Sequence, residues 1–412
     1  MVIFSIQIYT LFAIGGRNST GFKELKRKES KGFFQMRHKR FKGEKSKGRL
    51  AFLILAAIVI TCFAYPYFYS ALLKREFNPG SLIRVSDYKG DGGTGEGFAV
   101  FSGKLVCLRG TTLKLQAGDG STLWERHIDI KKPYIAGLEE IIAIADVDKG
   151  VIYGIDGQGQ NLWQVTPSNG IIRMGADSHH IWVISRHQQR TVAEVFNQRG
   201  METSYLQIDG AEVTDVSVSR DGALIAVSTA DIKDGSITGS VILYNSESSI
   251  LWAKSYRDSL VLGIRFTDEG SLLVLTEKAL MGLSEGGDVL WRSEVEGYIT
   301  RALLTDKGAA AITVSDDYRS GVPGGGSDET VLYGREGIQM GRFRHGERVT
   351  RLVEGQDCIG IFSGRRLKTV PLGGKGMPDK VFDRDLAAIY LLENNYVAYI
   401  STGKLYFEPV AR

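Results

Sequence analysis

Three cysteines, eight prolines and six histidines are spread over 412 residues, and each shortage closes a door. Cys62, Cys107 and Cys358 form no CxxC pair and join no Cys/His cluster, so neither a disulfide framework nor a zinc site is indicated. Cys107 and Cys358 are expected to be free, partly buried thiols. The few prolines stand against fifty glycines, which excludes a proline-rich disordered chain and points to many tight turns. His179-His180, with His187 nearby, is the one histidine grouping of note. Adjacent residues of a strand point to opposite faces, so the pair is a poor chelate and reads as the surface of a hairpin turn. Neither GxxxxGK[ST] nor HExxH occurs.

What is present begins with a charge asymmetry. Residues 17–49 hold 13 Lys+Arg against 3 acidic residues, leaving the remainder of the chain net acidic. Directly after this block, residues 50–73 read LAFLILAAIVITCFAYPYFYSALL, an uncharged run about as long as the ~20 apolar residues that cross a bilayer. Tyr65, Tyr67, Phe68 and Tyr69 gather near its far end as an interfacial belt does. The positive-inside rule puts the N-terminus in the cytoplasm and the rest of the chain outside. The expected organisation is a basic tail over 1–49, a membrane helix over 50–73, a linker over 74–80 and a folded domain over 81–412. A cleaved signal peptide and a lipoprotein signal at Cys62 are the lesser readings. The basic block is read as a topology determinant with some attraction to the inner leaflet, not as a nucleic-acid site.

The body of the chain repeats itself. GSTLW, GQNLW, SSILW and GDVLW end at Trp124, Trp163, Trp252 and Trp291, four of the five tryptophans. Each phrase follows two strands joined by a tight turn and then a third strand; VTDVSVSRDGALIAVST, turning at Asp221-Gly222, is the clearest hairpin. The period is about that of four-stranded propeller blades, ~40–45 residues. Leu-Trp then opens the outer strand, where a large flat ring fills the gap between twisted blades. The last unit has three strands, and residues 81–86 are expected to supply the fourth and close the ring. Eight blades is the count, with seven as the alternative.

The phrases LYNSESSILW and GIDGQGQNLW resemble the repeat of the PQQ-like, or quinoprotein-like, propellers, over roughly residues 80–412. The layout also resembles uncharacterised single-pass bacterial membrane proteins with an extracytoplasmic propeller. The resemblance implies an all-β, PQQ-like/WD40-like propeller behind an N-terminal transmembrane helix, and implies little about activity. The quinoprotein dehydrogenases of that group carry vicinal cysteines in many members and a calcium-and-quinone site. No vicinal cysteines occur here.

Local motifs offer little chemistry. GDGGTG at 90–95 lacks the following helix that a dinucleotide site requires. GLSEG at 282–286, with Ser284 as a formal nucleophile, runs into an ordinary blade turn. The two longest second-to-third connections, 229–240 and 315–330, put Asp231, Asp234, Asp316, Asp317, Tyr318, Arg319 and Asp328 on one face as candidate partner contacts. Asp316, Asp317, Asp328 and Glu329 offer oxygen ligands for Ca²⁺, but the glycine run between them argues against a pre-formed site. In the channel, the inner strands VLGIRF, ITRALL and VTRLV are expected to bring Arg265, Arg301 and Arg351 to comparable places, to hold an anion or to be satisfied by water and carboxylates.

The reading is a non-catalytic, membrane-anchored binding or scaffold propeller on the outer face of a bacterial cytoplasmic membrane. Its partner is a protein or an envelope polymer, and no cofactor or metal is called for. The rival is a quinoprotein-like or hydrolytic enzyme whose site lies in the central channel. Convergence of charged side chains from several inner strands is what would speak for the rival.

Overall fold

The computed structural model describes residues 84–86, 96–233, 236–315, 328–372 and 379–410. The tail, the apolar run at 50–73, the linker and GDGGTG therefore lie outside the described residues. Among those that are described, no helix is long and apolar enough to cross a membrane.

The described residues form thirty-two strands in eight four-stranded antiparallel sheets. Seven sheets are consecutive in sequence and are numbered here as blades 1 to 7. Their inner strands are Glu96–Phe101, Pro133–Gly137, Arg173–Ala176, Glu212–Val218, Val261–Phe266, Tyr298–Leu304 and Val349–Glu354. Their outer strands are Thr122–His127, Asn161–Val165, Glu202–Ile208, Ile250–Arg257, Val289–Glu294, Gln339–Arg344 and Lys380–Val381. Blade 8 takes three strands from the C-terminal end, with Ala388–Leu392 innermost, and its outer strand from Arg84–Ser86. Val85 pairs with Tyr406 there, so the ring is closed by strand exchange between distant parts of the chain. Inner strands meet across neighbouring blades, and blade 8 returns to blade 1. The count is eight, and the alternative of seven falls away.

The core is divided accordingly. Eight buried clusters lie one between each pair of neighbouring blades, such as Leu105, Ala398 and Phe407 between blades 8 and 1. The middle strands are apolar on both faces, as in Ile142–Asp146 and Leu272–Thr276, because each is sandwiched between two neighbours. Outer strands instead alternate, as in Val289–Glu294.

The Leu-Trp phrase is explained by its place in this array. In each case the leucine points to solvent and the tryptophan points inward, half-buried. Three of the rings donate Nε1–H to a carbonyl in the third-to-fourth turn of the next blade. Trp124 reaches Gly157 O, Trp163 reaches Gln198 O and Trp252 reaches Glu285 O, all at 2.8 Å. Trp291 packs on the corresponding turn at Gly337. A glycine with φ between 69° and 84° lies under every ring: Gly159, Gly200, Gly287 and Gly337. A Cβ at Gly200 would sit 2.6 Å from the Trp163 ring, so conformation and space both demand glycine there. Blade 3 shows the converse. It has Ser204 in place of tryptophan, whose Oγ donates to Ser246 O at 3.1 Å, and the turn of blade 4 then carries Ser248, a non-glycine at φ 63°. Where no ring needs the space, a Cβ is accommodated.

Candidate functional site

The first-to-second and third-to-fourth turns of every blade share one face, called here the tight-turn face. The second-to-third hairpins and the inter-blade connections share the other, the loop face. Each holds a candidate site.

On the loop face, 229–240 is not a loop. Leu224–Lys233 and Ser236–Asn245 continue as paired strands through it, with Asp231 opposite Thr238, so the connection is a long hairpin. Blade 3 also has long strands, His180–His187 and Arg190–Asn197. Between the two hairpins lies an open groove of about 520 Å³, where Arg186, Gln188, Gln189, Glu212 and Asp231 stand beside Ala211 and Ala230. Arg186 and Glu212 pair across it at 2.6 Å. Of the other candidates on this face, Asp234, Asp316, Asp317, Tyr318 and Arg319 lie outside the described residues. Asp328 is a correction: it is the first residue of strand Asp328–Tyr333, it is 2% exposed, and its carboxylate accepts the Val349 N–H of blade 7 at 2.7 Å. An acid at the foot of that loop serves the blade junction.

The arginines of the channel separate into two kinds. Arg301 and Arg351 occupy equivalent places, each just past a bulge in its inner strand. Arg301 donates to Thr350 O at 3.0 Å and Arg351 to Ala387 O at 2.8 Å, each in the following blade. Arg173, which the sequence reading passed over, does the same to Thr214 O at 3.0 Å. Thr214 and Thr350 are the bulged residues of their own inner strands, and a bulge takes a residue out of regular ladder pairing. Arg265 is not their equivalent. It lies one residue before the end of its inner strand, nearer the tight-turn face, and one guanidinium nitrogen is 4.0 Å from Asp306.

Around Arg265 the structure gathers carboxylates from four other blades: Asp177, Asp215, Asp306 and Glu354. Burial acts to raise the Asp177 carboxyl, yet the His180 imidazole 3.5 Å away, the His179 N–H that it accepts and the charge of Arg265 hold it below the ordinary range. For Asp215 burial wins over the Ile264 and Val216 N–H bonds and the nearby arginines, and its carboxyl is pushed up. Glu354 is reached by solvent in the channel, but the surrounding wall and the charge of Asp306 outweigh Arg265 and Lys307 and raise it to about 7. The Ser178 hydroxyl of blade 3 donates to Asp306 of blade 6 across the axis. Beyond that bridge opens a bowl of about 430 Å³ on the tight-turn face, to which seven blades contribute Ser102, Glu139, His179, Arg220, Asp268, Lys307 and Gln356.

The histidine pair is a second correction. His179 is half-buried and pairs with Glu139 at 2.7 Å, whereas His180 is 6% exposed, beside Asp177. Both described cysteines are free, and burial pushes the Cys107 thiol up to about 12. Ser284 is a turn residue whose hydroxyl accepts the Asp288 N–H at 3.0 Å.

A pH dependence follows from Glu354. Its carboxyl holds its proton up to about 7 when folded, against 4.5 ordinarily. Between those values the folded state binds more protons than the unfolded one, so stability falls as pH rises from about 4.5 to about 7. Glu354→Gln is expected to raise the melting temperature at pH 8 and to leave it unchanged at pH 4. A variant no more stable than the parent at pH 8 would contradict the assignment.

Fold and channel together define an eight-bladed β-propeller with a polar, self-compensated axis. The chain belongs to a family of unknown function (DUF5711), which it matches over residues 80–405. Among curated proteins none matches it. Among solved structures it is similar to the C-terminal WD40 domain of Sif2, at 11% identity and TM-score 0.55, covering 81% of this chain and 99% of that one. It is similar also to the Dos1 propeller, at 9% identity and TM-score 0.51, covering 82% and 98%. BamB from Moraxella catarrhalis aligns at 13% identity and TM-score 0.45, covering 76% and 96%. Likeness at such identity speaks for the fold alone.

Proposed function

We propose that the protein is a membrane-anchored, extracytoplasmic propeller that binds a protein or envelope polymer on its loop face and performs no chemistry itself. The observation that carries this reading is the groove between the hairpins of blades 3 and 4, where strands of eight and ten residues outgrow the five or six usual in the other blades. Extended backbone with uncommitted amides such as Gln188 and Gln189 suits an elongated polar ligand. The anchor is supported by the uncharged run at 50–73 and the basic block before it. With the native cysteines replaced, Ser236→Cys is expected to react with a membrane-impermeant maleimide in intact, wall-stripped cells. A photo-cross-linker at Gln188 or Ser236 is expected to capture one common partner, and one at Glu269, on the opposite face, is not. An unreactive Ser236→Cys, or capture from Glu269 alone, would sink the proposal.

A second reading draws on the channel. Charged residues from several inner strands do converge there, and Glu354 beside Asp306 is a carboxyl poised to exchange a proton near neutral pH. This favours a hydrolytic site at the axis. Turnover of an envelope polymer by the purified protein, lost in Glu354→Gln while that variant stays folded, would establish it over the first.

A further inference from the structure

We propose that the rim of the tight-turn face is a lipid-contacting belt that seats the propeller on the bilayer surface, an inference that rests on the membrane-anchored reading. In six consecutive blades a large apolar side chain stands within one residue of the tight-turn end of the outer strand. These are Leu123, Leu162, Met201, Leu251, Leu290 and Ile338, and they are 50–63% exposed. Inter-blade packing does not use them, since the tryptophans that follow four of them turn the other way. Farther along the same strands the outward positions are polar or charged, as at Glu125, His127, Gln164, Arg292 and Glu294. Along these six strands polarity therefore changes with height above the face. A boundary between water and lipid imposes that division, whereas a protein partner on one arc would not.

The path of the chain identifies the occupant. Arg84 pairs with Phe407, near the tight-turn end of strand Lys404–Pro409, so the outer strand of blade 8 enters from this face. The uncharged run ends at Leu73, eleven residues earlier, a reach of about 35–40 Å at most. A single tether holds a disc by one point of its edge and leaves it free to tip. Blade 4 lies across the ring from blade 8, and the apolar residues of blades 4 and 5 supply the second point. The turns beside the belt carry Asp119, Asp156, Glu247, Glu285, Asp288 and Glu336 against Arg199 and Arg335, so the surface suits neutral headgroups better than anionic ones.

The test uses the full chain, with native cysteines replaced, in phosphatidylcholine vesicles. An environment-sensitive fluorophore is placed at Leu251→Cys, Leu290→Cys or Glu294→Cys. The first two are expected to emit at shorter wavelength and to be quenched several-fold by lipids carrying a shallow nitroxide, while Glu294→Cys stays aqueous. Adding phosphatidylglycerol is expected to weaken the effect. Aqueous emission at Leu251→Cys and Leu290→Cys overturns the belt, as does equal quenching at all three sites, and deeper insertion with phosphatidylglycerol overturns the lipid class. If Ser236→Cys is still labelled from outside cells while the rim stays aqueous, the belt is wrong and the anchored reading stands.

Discussion

A chain shortened to begin at Gly90 is expected to melt well below one that begins at Asn78, and to scatter light as it does so. The twelve residues between those starts include Arg84–Ser86, which pairs with Leu405, Tyr406 and Phe407 and completes blade 8. Without it, strand Lys404–Pro409 becomes a free edge with unpaired backbone N–H and C=O groups, a template for pairing with another chain. The damage reaches beyond one strand. The clusters on both sides of blade 8 include Leu405, Phe407 and Tyr406, so loosening this blade weakens two of the eight interfaces. Adding the missing segment back as a peptide is expected to restore part of the loss. Identical melting of the two chains would mean that ring closure does not depend on this strand.

Trp163→Ala and Trp252→Ala are each expected to cost about 2–4 kcal/mol, somewhat less than full burial of the ring would imply. Each substitution removes the ring from between two blades and leaves a turn carbonyl, Gln198 O or Glu285 O, without its donor. Coupling to the facing glycine makes the assignment specific. Gly200→Ala should destabilise strongly in the parent, because its Cβ would meet the Trp163 ring at 2.6 Å, and less when Trp163 is already alanine. Ser248, in a comparable turn with no tryptophan ring above it, should accept glycine at little cost, since φ is already 63° there. Additive costs for Trp163 and Gly200 in urea unfolding would refute the inter-blade contact.

The fold was largely legible because a propeller writes its period into the chain. Each blade needs the same turn at the same place, so Asp156 with Gly159 and Asn197 with Gly200 recur at fixed distance from the strand they introduce. The short last unit likewise announced that its fourth strand came from elsewhere. The long hairpin at 229–240 was less legible, because polar residues such as Asp231, Ser236 and Thr238 look like a loop until a partner strand accepts their backbone.

The candidate sites were much less legible, for a related reason. Arg265, Arg301 and Arg351 look equivalent along the sequence, yet two strand positions separate an arginine that latches the next blade from one that sits among carboxylates. All three strands carry a bulge at the same place, so what differs is how far past it the arginine lies. Asp177, Asp215, Asp306 and Glu354 come from four blades, with no spacing in common. Local sequence, through turn chemistry and alternation, determined what each blade is, and the structure fixed their number at eight where the sequence still allowed seven. Only the closed ring decided which charges meet at its axis and which apolar residues remain on its rim, because those relations hold between segments whose separation along the chain carries no signal.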